Sequence, residues 1–220
     1  MSYEVAWTRF SWLISPIYII TYRQNDPHIP DFFKEFPNYH DANALLLYGY
    51  IDHEAGLTFE VLSAARHEND TTTLFPGNDE ISVKLRSESI GDEEIVLLNK
   101  LTPNAYDEKI EQIHKFYKAD KGIELCRKIK ELDAYRHADY PDDVAVIFYD
   151  QEKEPEYCWV RCEDCQPPRF FGTLLNEPKI IEGIHKNDKV VFNLIEVKDG
   201  FFVAVFLRWY STPINEWLTK

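Results

Sequence analysis

Apolar residues in this chain recur mostly at the two-residue spacing of strands, and one central stretch recurs at the spacing of helices. Residues 3–24 are rich in Trp, Phe, Tyr and Ile and read as one or two strands with Pro16 at a break. Asn25–Pro30 is loop, and Asp31–Phe36 reads as one helical turn with Asp31 as its N-cap before Pro37 stops it. Ala44–Ile51 and Leu57–Ser63 predict a hairpin across the turn-length linker Asp52-His53-Glu54-Ala55-Gly56. The polar stretch Thr71–Asp79, carrying Pro76-Gly77, reads as a loop. Ile81–Leu85 alternates in the strand manner, with Ile81, Val83 and Leu85 on one face, and Ile95–Leu98 is a further short strand.

The period then changes. Thr102-Pro103 supplies a cap and an N1 proline, and Tyr106, Ile110, Ile113 and Tyr117 share one helical face. Lys121-Gly122 weakens the helix, and Ile123, Cys126, Ile129 and Leu132 resume the pattern, giving two helices or one kinked helix that ends near Arg136. Val144–Phe148 returns to strand. From Tyr157 to Arg208 short β runs are broken at Pro167-Pro168, Asn176-Glu177-Pro178, Asn187-Asp188 and Asp199-Gly200, and Pro213–Leu218 reads as a closing helical turn. Strands, then helices, then strands, without βαβ alternation, predict an α+β fold. Its sheet is mostly antiparallel, with one or two central helices and a C-terminal small β-barrel-like unit. A boundary near Arg136–Tyr140 would divide an N-terminal α+β part, residues 1–138, from a β-rich part, residues 139–220, with one continuous domain as the alternative.

Four segments of the C-terminal part belong together: YPDDVAVIFYD at Tyr140–Asp150, EYCWVRC from Glu156, GTLLNEP at Gly172–Pro178, and GIHKNDKVVFNLIEV from Gly183. Together they resemble the YegJ-like family, a bacterial family of domains of unknown function. In that family a W-V-x-V strand is followed by G-x-L-x-N-x-P and then by a G-D-x-V-like strand start. The family usually closes with an Asp-Trp pair, whereas here Glu196-Val197 and Asp199-Gly200 occupy that region and the nearest Trp is Trp209. The resemblance covers under a third of the chain. It implies a bacterial, soluble protein and no established activity or cofactor. The same residues have physical roles of their own: Gly172 inside a strand pattern suits a bulge or sharp bend, and Asn176 and Pro178 suit a strand end against a turn. The functional alternative is that Arg161, Asn176 and Glu177 line one end of the barrel and contact a ligand.

Charge narrows the partners. The 220 residues carry a formal net charge of −14. The acidity is spread along the chain, with 7 basic and 16 acidic residues in positions 1–100 and 17 and 22 in the remainder. Such a surface repels phosphate backbones and anionic membranes, so nucleic acid and membrane are poor partners and a basic protein or neutral small ligand is a better one. The longest apolar run, Trp12–Ile20, is interrupted by Ser15 and Pro16 and is about half the length a bilayer needs. The N-terminus has no basic n-region, so no secretory signal is expected, and four cysteines are expected as reduced thiols in a cytoplasm.

The candidate chemistry is sparse. Cys162-x-x-Cys165 has the spacing of half a zinc site, but no second pair follows. Cys158 and Cys162 on a regular strand would lie roughly 13 Å apart. Cys126 or His185 could join them only through the fold; ordinary thiols and no metal or cofactor are expected. As a redox pair the motif runs into Pro167-Pro168 rather than a helix start, and Glu163-Asp164 would raise the thiol pKa. No nucleophile elbow, zincin helix, Walker loop or dinucleotide turn occurs. The aromatic stretch Asp31–Tyr39 offers Phe32, Phe33, Phe36 and Tyr39 as a partner-binding patch. Three functions follow in order of preference. The first is a non-catalytic, acidic, partner-binding protein of the immunity or accessory type. The others are an enzyme using carboxylates or a histidine such as His137 or His185 at the junction of the two parts, and a small-ligand-binding β module.

Overall fold

The computed structural model describes residues 3–4, 17–21, 31–86, 94–98, 105–150, 153–197 and 200–206. The first sheet is built on a long hairpin of β3 (Ala44–Asp52) and β4 (Gly56–Glu68). The turn closes because Asp52 Oδ1 accepts hydrogen bonds from the backbone N–H of Glu54 (3.0 Å) and Ala55 (3.2 Å). Gly56 then takes a φ of +83°, where a Cβ would stand 2.5 Å from the carbonyl oxygen of Asp139. Both strands are buried almost without interruption because each face meets a different cover. Leu45, Leu47, Leu57, Phe59 and Val61 pack on one side with Phe33 and Phe36 of the 3-10 segment Asp31–Glu35 and its end. On the other side Leu46, Tyr48, Tyr50 and Leu62 pack with Tyr106 and Ile113.

The remaining strands of this sheet are β1 (Tyr3–Glu4), β2 (Ile17–Thr21), β5 (Thr71–Gly77), β6 (Lys84–Arg86) and β7 (Glu94–Leu97). They follow the order β1-β7-β2-β3-β4-β5, all antiparallel, and β6 also pairs with β4. The 13 residues of β4 make room for two partners along one edge, β6 beside Thr58–Glu60 and β5 beside Ser63–Glu68. The expected loop at Thr71–Asp79 is thus corrected: Thr71–Gly77 is strand. Asn69 (φ 49°) and Asp70 (φ 58°) form a two-residue turn with both centres left-handed, which reverses the chain directly into three β-branched threonines. Ile81–Leu85 is strand only at its end, in β6. Helix α1 (Asp107–Tyr117) starts later than the spacing suggested, and Tyr106 serves as its N-cap residue; Thr102-Pro103 and Pro213–Leu218 lie outside the described residues.

The chain divides into two compact units, one of residues 1–118 with 138–140 and one of residues 119–137 with 141–220. The second contains helix α2 (Lys121–Arg127), a 3-10 segment at Lys130–Tyr135, and strands β8 (Asp143–Tyr149), β9 (Glu156–Gln166), β10 (Arg169–Leu174), β11 (Lys189–Val197) and β12 (Gly200–Phe206). These strands form a meander in which neighbours are antiparallel, and a five-stranded meander can close only on a parallel pair. It does so between β8 and β12, at Ile147 with Ala204 through Tyr149 with Phe206. The fold is α+β and mostly antiparallel, with a small C-terminal barrel. Phe148, Val160, Phe170 and Phe192 fill the barrel, and Cys126 and Leu132 of the helical segment join the same core.

Bulging sets the phase of β9. Phe171 pairs with Asp164 while Gly172 pairs with Cys162, so Glu163 is an extra residue. Gly172 is required there, since a Cβ would stand 2.2 Å from the carbonyl oxygen of Arg161. The extra residue turns both Cys162 and Cys165 inward, although three residues apart they would face opposite sides of a regular strand.

Candidate functional site

The sheet face beneath α1 carries the feature least expected of a core. In antiparallel register Tyr48 opposes Glu60 and Tyr50 opposes Thr58, which puts Glu60 and Tyr50 on one face as diagonal neighbours. Glu60 sits in the apolar run Leu57-Thr58-Phe59-Glu60-Val61-Leu62, and its side chain is only 4% exposed. A carboxylate so buried needs partners. Lys109 of α1 supplies one, its Nζ 3.7 Å from Glu60 Oε1, and Ser82 Oγ donates to the same oxygen at 2.8 Å. Lys109 Nζ also donates to the carbonyl oxygens of Ile81 (2.9 Å), Val61 (3.2 Å) and Asn78 (3.5 Å). The ammonium therefore clamps the 78–82 loop to β4 and to α1.

Glu60 Oε2 makes no hydrogen bond among the described residues, and neither does the Tyr50 hydroxyl, although Tyr50 is 6% exposed. Both residues line a half-open cavity of about 480 Å³ bordered by the sheet, the 79–84 segment and α1. Asp79, Glu80 and Glu108 add negative charge to its lining, against Lys84 and the already committed Lys109. Tyr117 and Phe116 supply aromatic wall: the rings of Tyr50 and Tyr117 lie 4.6 Å apart at 32°, and Phe116 is 74% exposed. Burial first, and the Glu60 charge second, push the Tyr50 phenol well above its ordinary value, so it stays neutral. An unpaired carboxylate oxygen, a neutral phenol and aromatic faces together can accept hydrogen bonds and stabilise positive charge.

Residues singled out in the sequence have other surroundings. Phe33 and Phe36 are core, and Phe32 and Tyr39 are partly buried against the same cluster, because the 3-10 segment lays this stretch across the hairpin. Rings committed to that packing do not form an exposed patch. Arg161 grips Asp143 through two of its guanidinium nitrogens, Nε to Oδ1 at 2.8 Å and Nη2 to Oδ2 at 3.1 Å. Asn176 Oδ1 accepts from the backbone N–H of Trp159 at 2.7 Å. Glu177 accepts from the Lys186 N–H and pairs with His185 Nδ1 at 2.7 Å, a contact that lowers the Glu177 pKa and raises that of His185. These three residues hold loops and strands of the barrel. His137 stands edge-on to Trp159, with ring centroids 4.9 Å apart.

The fold brings three cysteines together. Cys126, Cys162 and Cys165 are buried in one core cluster, and the neighbouring Cys162 thiol first, with burial second, holds the Cys126 pKa far above the ordinary thiol value. Burial pushes Cys165 up to about 11. Such thiols have little thiolate near neutral pH. Among the described residues no group of three His, Cys, Asp or Glu side chains is placed to hold a metal ion.

Sequence reasoning passed over Glu60, Tyr50 and Lys109. For Glu60 a signal existed, since a charged residue in the middle of a buried strand demands either a partner or a ligand. Comparison of the chain with models of known protein families, with curated proteins and with solved structures finds no match in any of the three.

Proposed function

We propose that this is a non-catalytic binding protein, of the immunity or accessory type, whose acidic surface receives a basic protein partner at the cavity between α1 and the first sheet. The observation that carries this reading is that Glu60 Oε2 and the Tyr50 hydroxyl, both on that cavity, make no hydrogen bond among the described residues. A net charge of −14 favours approach by a basic partner and disfavours nucleic acid. The motif inventory supports binding over catalysis, since the chain carries none of the spacings that mark an activated nucleophile or a phosphate cradle. Four buried thiols with no disulfide among them support a reducing, cytoplasmic setting, and no helix among the described residues is long and apolar enough to cross a membrane. The resemblance of the C-terminal segments to the YegJ-like family supports a bacterial source and adds no activity.

The test is fluorescence anisotropy with three labelled peptides of equal length, basic, neutral and acidic, at about physiological ionic strength, where screening suppresses unspecific attraction. The basic peptide is expected to bind and the other two to stay free. Equal binding of the neutral peptide, or no binding of the basic one, contradicts the reading.

A further inference from the structure

The identity of the group that the cavity accepts follows from its chemistry. Buried polar atoms in folded proteins are nearly always hydrogen-bonded, and those that are not call for an explanation. Here two such atoms, on a side chain 4% exposed and on a residue 6% exposed, line the same cavity. Lys109 does not fill the role, because its ammonium donates to three carbonyl oxygens and stands 3.7 Å from Glu60 Oε1 without a hydrogen bond to the carboxylate. Glu60 Oε2 can only accept, so the partner it lacks is a donor, the Tyr50 hydroxyl can accept from the same group, and the charge of the lining makes that group a cation.

We infer that the cavity binds a guanidinium group, presented as an arginine side chain by a basic polypeptide, with Glu60 Oε2 and the Tyr50 hydroxyl accepting its hydrogen bonds. This rests on the reading of the protein as a binder of a basic partner and names the group recognised. Glu60 and Tyr50 are diagonal neighbours, about 7–8 Å apart at the backbone, so both can reach one planar group. A guanidinium carries five donors in a fixed fork and engages two acceptors at once, whereas an ammonium acts as a point charge. It is also more weakly hydrated and loses less on leaving water for a partly buried site. The tilted Tyr50 and Tyr117 rings give its flat face a stacking wall. Phe116, also in the lining, already has the Lys115 ammonium 5.7 Å from its ring centroid. Asp79, Glu80 and Glu108 in the lining attract the incoming charge.

The experiment is isothermal titration of the full chain with three blocked heptapeptides, Gly-Lys-Gly-X-Gly-Lys-Gly, where X is arginine, lysine or citrulline, alongside free agmatine. The arginine peptide should bind about tenfold or more tightly than the lysine and citrulline peptides, the increment expected of charge-assisted bonds that only a planar cation completes. Tyr50→Phe keeps the ring and removes the hydroxyl. It should weaken the arginine peptide by about tenfold and leave the lysine peptide unchanged. Glu60→Gln should abolish the preference for arginine, with circular dichroism and Tm confirming that each variant is folded. Lysine and arginine peptides that bind equally, with Tyr50→Phe without effect, would refute the guanidinium site while leaving a basic partner in place. Failure of every basic peptide to bind would remove both. Agmatine binding as tightly as the arginine peptide would overturn the polypeptide source and make a free guanidino compound the occupant.

Discussion

A single buried ion pair sets the electrostatics of the sheet face beneath α1. Glu60 is tolerated in a strand of Leu, Phe and Val because Lys109 and Ser82 meet one of its oxygens. Removing the cation leaves an uncompensated buried carboxylate, which typically destabilises by about 3–5 kcal/mol. Lys109→Met should therefore lower the unfolding free energy obtained from urea titration by an amount in that range. Lys115→Met, which removes only a contact over the exposed Phe116 ring, should change stability by less than about 0.5 kcal/mol. The thiols give a second expectation at this scale. Cys165 titrates at about 11 in the folded chain against an ordinary 9.0, so between those values the unfolded chain has lost the proton and the folded one has kept it. Stability contributed by this thiol is complete below about pH 9 and falls as pH rises from there towards 11. Cys126 and Cys158, both raised, act in the same sense. Thermal unfolding followed from pH 8 to 10.5 should show the decline begin near 9. A thiol reagent at pH 7.5 should label none of Cys126, Cys158, Cys162 and Cys165 before denaturant is added. Fast labelling of any of these in the native protein would contradict their burial.

Among elements, β9 shows how one added residue changes the chemistry a sequence seems to offer. Spacing alone places Cys162 and Cys165 on opposite faces, and the bulge at Glu163 reverses this and gathers both against Cys126 of α2. Gly172 was legible as a bulge or bend because a glycine inside a strand has few other uses. Its consequence for the cysteines was not, because the bulge lies on the partner strand. The position is testable against a second glycine. Gly172→Ala would drive a Cβ to 2.2 Å from a backbone carbonyl oxygen, whereas at Gly183, with φ +82°, a Cβ meets nothing within 4 Å. Gly183→Ala should cost about 1–2 kcal/mol from backbone conformation alone, and Gly172→Ala should cost clearly more, as measured by chemical denaturation. Strand β5 was missed for a related reason. Asn69-Asp70 lacks the glycine that usually announces a two-residue hairpin turn, and Pro76-Gly77 drew attention to the wrong end of the segment.

Across the whole molecule, the class of fold was open to sequence reasoning and the site was not. Period-two runs and turn residues are local properties, and they gave the central hairpin, the barrel strands and the α+β class. The cavity depends on which face of β3 meets which face of β4, and on α1 covering that face, so Tyr50 and Glu60 become neighbours only through register. The charge of −14 was legible and is shared by both halves of the chain, yet it identifies no location. It does predict a kinetic property: association with a basic peptide should slow steeply as ionic strength rises, while dissociation changes little. Stopped-flow fluorescence over a salt series would check this. The most direct measurement of the central claim is a ¹⁵N-resolved NMR titration of the full chain with the blocked arginine heptapeptide. Shift changes centred on Tyr50, Glu60, the 79–84 segment and residues 108–117 are predicted. Changes scattered over acidic positions of both units, with the resonances of Tyr50 and Glu60 unmoved, would contradict it.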